Sequence, residues 1–362
     1  MRHGLSFLPD SGAGGGLSAP EYFSLITELS RLGDQAGMSH VKITEHYLEP
    51  YGGYCPSPLI FLSAVAAVTR RIRLMTGCLL PVFHHPIQLA SETAMVDAMS
   101  GGRLDVGFAR AYLPYEFDAF GISLDSSRDR FVDTVAAVQR LWAQESVTER
   151  SAFFSFTEAT TLPRPVQPGG PPVWVAAVRS AESFRSAGEN GHGLLVTPSL
   201  SPLTEMAALI DLYRQSFRAR RTGDRPRVLA SLPLFVGRSD QQARQIADPL
   251  LAHYLRVWAQ SADAWSHRSS SDYQGYTGMG GAIRAFTPER LRTVGGAVVG
   301  GVQQVIDRIE SIREILSVDG FLWQIDFGAV DLPTATANLE RFCSDVEPAL
   351  SRRSTETVPV SV

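Results

Sequence analysis

Short apolar runs alternate along the chain with longer stretches in which apolar residues recur every three or four positions. A short apolar run bounded by turn formers reads as a buried strand, and the three-to-four periodicity reads as an amphipathic helix. The pattern predicts strands at 2–8, 40–44, 72–76, 104–109, 173–177, 193–196, 227–236 and 320–325. Helices are predicted at 20–36, 57–69, 86–99, 126–144, 180–190, 203–221, 240–258 and 302–316, with a closing helix at 332–342. Strands that alternate with helices in this way pair in parallel with both faces covered. Eight of them close most economically as a (β/α)8 barrel, the α/β fold of TIM type.

Two stretches break the rhythm. Residues 145–171 carry Phe153, Phe154 and Phe156 ahead of a Pro/Gly-rich run, and read as an inserted hairpin and loop. Residues 261–286 are rich in Ser, Gly and Tyr without periodicity, yet hold Trp265, Tyr273, Tyr276 and Met279, which a solvated linker would not need. They are expected to form either a lid over the barrel mouth or a mobile loop or dimer contact. The expected organisation is a single barrel domain over 1–350, with insertions at its C-terminal face, and a flexible tail over 351–362.

Composition narrows the function. Of 362 residues, 44% are hydrophobic and 19% charged, as in ordinary globular proteins. Lys and Arg total 33 against 37 for Asp and Glu, a net charge of -4 that speaks against a nucleic-acid-binding surface. The basic run Arg218-Ala219-Arg220-Arg221 falls at the end of a predicted helix, where cations suit the helix dipole. Cys55, Cys78 and Cys343 are too far apart for a metal knuckle or a disulfide framework, which fits a reducing, cytoplasmic location. No signal-peptide or membrane-spanning pattern is found. Gly12-Ala13-Gly14-Gly15-Gly16 invites a dinucleotide-loop reading, but Leu17 stands where G-x-G-x-x-G needs its third glycine.

The chemistry-bearing residues fall at predicted strand ends. The strand Val41-Lys42-Ile43-Thr44 leads into Glu45-His46-Tyr47, so His46 is carried to the mouth, where barrel enzymes work. An imidazole there is either a general base or a capping structural histidine. By strand alternation Glu45 points the other way, as a structural partner. Ser180 and Ser183 open the helix after strand 173–177, and serve either as an anion site or as plain caps. Cys78 reads as a buried packing residue, and His84 and His85 as loop residues rather than metal ligands.

Five segments together carry a family likeness: Ile43-Thr44-Glu45-His46-Tyr47, Thr76-Gly77-Cys78-Leu79-Leu80-Pro81, His85-Pro86, Ser100 through Arg110, and Phe117-Asp118-Ala119-Phe120-Gly121. With Pro172 through Ala177, Gly300 and Gly320-Phe321, their order and spacing resemble the bacterial-luciferase-like flavin monooxygenases over about residues 1–350. The resemblance implies a dimeric barrel that binds reduced FMN (FMNH2) at the strand C-termini. It also implies reaction with O2 through a flavin C4a-peroxide, and a separate NAD(P)H-dependent flavin reductase as partner. The expected substrate is a mid-sized, largely apolar organic molecule.

The same resemblance assigns residues. His46 matches the first histidine of the family's Glu-His-His motif, a base near the flavin, whereas Tyr47 replaces the second. Arg110 matches the arginine that reaches the FMN phosphate, with Arg179, Ser180 and Ser183 around it, unless Arg110 forms a surface ion pair instead. Thr76 and Gly77 match the strand end beneath the ring, where a non-prolyl cis peptide is common. Ala109 replaces the cysteine of luciferases proper, so light emission is not implied. Tyr47, Tyr112, Trp265, Tyr273 and Tyr276 are expected to line the substrate pocket and its lid. No metal site is expected. Rival readings are an F420-dependent hydride-transfer enzyme on the same barrel and a flavin-binding protein without turnover.

Overall fold

The apolar runs become parallel strands in the computed structural model, which describes residues 1–10, 16–199, 202–220 and 223–356. Among them are β1 (Arg2–Phe7), β2 (His40–Ile43), β3 (Arg73–Leu79), β4 (Leu104–Phe108), β5 (Val147–Arg150) and β6 (Ser155–Ala159). After these come β7 (Val173–Ala176), β8 (Gly193–Val196), β9 (Val228–Val236), β10 (Val298–Gly300) and β11 (Gly320–Gln324). The order β1-β2-β3-β4-β7-β8-β9-β11 returns to β1, all parallel, so the eight expected strands close a barrel. β5 and β6 form the inserted antiparallel hairpin. β10 adds to the end of β9 through Val298↔Leu234 and was not foreseen, because three residues are too few to show a period.

Alternation along the strands divides the core. Leu5, Val41, Ile43 and Leu74 face outward and pack with the helices. Met75, Trp174, Leu195, Leu229 and Leu322 fill the barrel interior. Helix Ala19–Gln35 shows why the helices form: Glu21 accepts the Ser18 N–H at 2.8 Å, and Tyr22, Leu25, Ile26 and Leu29 bury one stripe. At the N-terminal end of the barrel, Asp105 accepts from Arg73 Nε at 2.7 Å and lies 3.1 Å from His40 Nε2. That end is braced by charge and by the loop after the hairpin, where Gln167 Oε1 accepts from Arg73 Nη2 at 3.2 Å, and the loops that leave the strands stand at the opposite end.

Several expectations need revision. β3 continues past Thr76 to Leu79 through a cis Gly77–Cys78 peptide, with its register to β4 shifting after Thr76. Helix Asp240–Ala262 outruns its expected end, and the segment beyond it is not an irregular loop. That segment consists of 3-10 turns at Asp263–His267 and Ser271–Tyr273 and a short helix at Met279–Arg284. Burial of Trp265 and Tyr273 organises it, and tertiary packing of that kind leaves no periodic trace. Short helices Pro114–Phe120 and Pro288–Val294, each beginning on proline, were also missed. The tail expected at 351–362 is helical through Glu356 in helix Glu347–Glu356, while residues 357–362 lie outside the described part. Residues 11–15 of the glycine-rich loop and Arg221 of the basic run also lie outside it. Among the described residues no helix is long and apolar enough to cross a membrane.

Candidate active site

The C-terminal ends of the strands surround a cavity of about 230 Å³. His46, Gly77, Arg110, Tyr112, Arg179, Ser180, Ser183, Tyr273 and Tyr276 all lie on its lining. Thr76, Tyr47 and Trp265 do not. Thr76 Oγ1 donates to Gly107 O at 2.9 Å and accepts the Gly107 N–H at 2.8 Å, which bonds β3 to β4 where their register shifts. Tyr47 donates its hydroxyl to Glu45 Oε1 at 2.5 Å and packs edge-on to Phe83 and Phe120. Trp265 is fully buried behind the lining, with Nε1 donating to Tyr112 O at 2.8 Å.

His46 is fixed on three sides. Its Nδ1 lies 3.0 Å from Glu116 Oε1, which also accepts the Tyr47 N–H at 3.0 Å. Gly52, at φ +78°, lies against the ring so closely that a Cβ there would collide with it. Tyr51 and Tyr112 flank it at centroid distances of 5.3 and 6.1 Å. A carboxylate can only accept, so the Glu116 contact holds a proton on Nδ1 and leaves Nε2 as the basic nitrogen. Glu45 faces away from this pair and is fully buried. It accepts the Leu80 N–H at 2.9 Å and meets His84 Nε2 at 2.7 Å. Burial alone would lower the His84 imidazole, but the hydrogen bond and charge of Glu45 outweigh it and raise the ring above its ordinary value.

The basic end of the cavity touches segment 263–286. Arg110 Nη2 donates to Asp272 O at 2.8 Å, and Nη1 lies 3.3 Å from Asp272 Oδ2. The guanidinium sits 4.2 Å from the Tyr273 ring centroid. Arg179 Nη1 donates to Gly275 O at 3.2 Å. Ser180 is the N-cap residue of helix Ala181–Glu189, and Ser183 lies in its first turn. Two guanidinium groups beside a helix start make a site for phosphate or another anion. Arg110 Nη1 is buried without a well-formed hydrogen bond, so it has capacity to spare for such a group.

Aromatic side chains make the remaining wall. Tyr51 stacks on Trp258 at 6.1 Å and 10°, and Trp258 Nε1 donates to Tyr112 Oη at 3.1 Å. Tyr254 joins them on the lining. Burial raises the Tyr51 hydroxyl to about 12, so it stays a neutral phenol. Sequence reading passed over Glu116, Tyr51, Tyr254 and Trp258. The last two stand four residues apart in a helical pattern and resemble core; Glu116 is a lone acid between aromatic residues, which was the available signal. It also passed over Lys42, a cation in the middle of an apolar strand that projects into the cavity. Among the described residues no cluster of His, Cys, Asp and Glu could hold a metal.

The sequence pattern of the family described as luciferase-like monooxygenase matches residues 1–319. The oxygenase component of a flavin-dependent trigonelline monooxygenase from Acinetobacter baylyi is 30% identical over 338 residues, covering 91% of each chain. The crystal structure of the monooxygenase RslO1 from Streptomyces bottropensis superposes with a TM-score of 0.85 at 35% identity, covering 96% of this chain and 99% of that one. The oxygenating constituent of 3,6-diketocamphane monooxygenase from Pseudomonas putida, solved with FMN, shares the fold at a TM-score of 0.77 and 18% identity, with 96% and 98% covered. With a closed barrel, a match over most of its length and flavin-dependent relatives, this chain belongs to the luciferase-like monooxygenase family and is an enzyme of the flavin-dependent monooxygenase class.

Proposed function

We propose that the cavity binds reduced FMN and that the enzyme uses O2 to oxygenate a mid-sized, largely apolar organic substrate. The observation that carries this reading is the meeting of three surfaces in one cavity: the basic end at Arg110 and Arg179, the Glu116-backed His46, and the wall of Tyr51, Tyr112, Tyr254 and Trp258. Arg110, Arg179, Ser180 and Ser183 would hold the phosphate, with the ring at the Gly77 end. When bound, reduced flavin supplies the electrons that activate oxygen. The residues of the chain do the rest. His46 Nε2 takes or returns a proton at the reacting centre, and Glu116 fixes the ring for that exchange. The aromatic wall orients the substrate. Segment 263–286, resting on both arginines, keeps water out.

The relatives' description as an oxygenase component supports a separate NAD(P)H-dependent flavin reductase as partner. Exposed Met95 and Met99, one turn apart, and Ile60 on the neighbouring helix support a homodimer. Three cysteines without a disulfide support a cytoplasmic location. The test is anaerobic titration with reduced FMN, then mixing with O2 in the presence of candidate substrates. Micromolar binding and an oxygenated product are expected. Binding of F420 in place of FMN, or release of hydrogen peroxide with every substrate, would overturn the reading.

A further inference from the structure

A donor-rich floor lies at the blind end of the cavity, on the side away from Arg110. It is built by Ser6 of β1, Lys42 of β2, Ser231 of β9 and Gln324 of β11, four strands that neighbour one another in the barrel. Beneath them the interior is apolar, filled by Met75, Trp174, Leu229 and Leu322. Lys42 Nζ donates to Ser6 Oγ at 3.1 Å and to Ser231 Oγ at 3.3 Å. Among the described residues no carboxylate comes within ion-pairing distance of it, and burial holds the ammonium below its ordinary value; Asp326 accepts instead from Tyr22 and the Leu8 N–H. Gln324 is buried too, and among the described residues its Nε2 has no hydrogen-bond partner.

The side chain of Lys42 reaches this position because residue 77 is glycine. A Cβ there would collide with the Cγ, Cδ and Cε of Lys42, so the stem lies across the cis Gly77–Cys78 peptide and delivers the ammonium to the barrel axis. A buried cation is costly unless paired, and two hydroxyls compensate it only in part. The ammonium and the Gln324 amide together present N–H groups that no acceptor among the described residues fills.

We infer that the floor formed by Lys42, Gln324, Ser6 and Ser231 is a binding site for an anionic or strongly polarised carbonyl oxygen at the buried end of the cavity. Two sources carry that chemistry: the dioxopyrimidine edge of a reduced, anionic flavin, and a carboxylate, phenolate or ketone oxygen on the substrate itself. In the second case the substrate enters oxygen-first, with its apolar part against the aromatic wall. The assignment goes beyond the proposed function, because it concerns what the floor recognises rather than which reaction occurs above it.

The experiment compares the wild-type protein with Lys42→Met, which keeps the stem and removes the charge, and with Gln324→Leu, which leaves Lys42 in place. Each is titrated calorimetrically with benzoate and with neutral benzamide, and anaerobically with oxidised and photoreduced FMN. If the oxygen comes from substrate, Lys42→Met weakens benzoate at least about tenfold, a loss of about 1.4 kcal/mol, weakens neutral benzamide by a smaller factor, and does not change the reduced-to-oxidised FMN affinity ratio. If it comes from flavin, that ratio falls at least about tenfold instead. Gln324→Leu moves the same ligand in the same direction, and decides the matter should Lys42→Met fail to fold. Unchanged benzoate affinity together with an unchanged FMN ratio in the folded variants would overturn the site. Absence of FMN binding to the wild type would sink the proposed function and leave the benzoate comparison standing.

Discussion

His46 Nδ1 and Glu116 Oε1, seventy residues apart in sequence, are 3.0 Å apart at the mouth of the barrel. The acid is fully buried and the imidazole nearly so. The contact therefore sets which nitrogen faces the reaction. Replacing His46 by Ala should cost about 100-fold or more in oxygenated product, as for loss of a general base, with flavin affinity changed by no more than a few fold. Glu116→Gln should lower kcat by a smaller factor and leave KM for the substrate in place. Coupled assays of product against oxygen consumed check both, and wild-type product yield in His46→Ala would remove that residue from the mechanism.

Arg110 cannot fully serve two anions at once. Its guanidinium now meets Asp272 in segment 263–286, and in the proposed complex it meets a phosphate. Asp272→Asn should tighten FMN several-fold by removing the competing carboxylate. Arg110→Met should weaken FMN at least about tenfold, as expected for a lost charge-assisted bidentate contact. Riboflavin, which has no phosphate, is the control ligand. Fluorescence quenching titrations of the wild type and both variants with the two ligands give the affinities, and an equal loss for riboflavin would place Arg110 elsewhere than at the phosphate.

Gly77 has no room for a side chain. Alanine there would push against the Lys42 stem, and overpacking of this kind costs about 1–3 kcal/mol. Thermal unfolding of Gly77→Ala should show a lower Tm, and combining it with Lys42→Ala should recover most of the loss. A double variant no more stable than Gly77→Ala alone would refute the steric account.

Asp326 gives a pH dependence of definite sign. Burial, reinforced by the charge of Asp10, pushes its carboxyl up to about 8, against the hydrogen bonds from Tyr22 and Leu8. Both donors reach Oδ2, at 2.7 and 2.9 Å, and among the described residues Oδ1 has no partner, as suits a carboxylic acid carrying its proton there. The raised value means that this group's contribution to stability is full below the ordinary 3.8 and is lost as pH rises toward about 8. Asp326→Asn imitates the protonated acid. Between about pH 5 and about pH 9 the wild-type Tm should fall relative to the variant by at least about 2 °C. A Tm difference that does not vary with pH would contradict this.

Much of the barrel was legible because its strands are bounded apolar runs and its helices carry clean stripes, as in Tyr22, Leu25, Ile26 and Leu29. His46 and Arg110 were legible as polar residues where such runs stop. Glu116 was not, since its helix, Pro114–Phe120, is too short to show a period and its partner is far away in sequence. Trp265 was legible only in part: an aromatic residue in an aperiodic stretch pointed to the pocket or its lid, and within that segment it packs behind Tyr112 and off the cavity lining. Lys42 stood in the open within the strand that leads to His46, but a single cation in an apolar strand does not reveal whether it points inward or outward until the strand's neighbours are known.

The apolar filling of the barrel by Met75, Trp174, Leu195, Leu229 and Leu322 makes the site a blind well. Among the described residues, segment 263–286 borders the mouth of that well through Arg110 and Arg179. Whatever is deepest arrives first and departs last, so turnover obeys a stacking order, and a molecule lodged at the mouth blocks release as effectively as it blocks loading. Where the flavin takes the floor, excess substrate should therefore inhibit such an enzyme by trapping spent flavin; where the substrate takes it, excess flavin should inhibit instead.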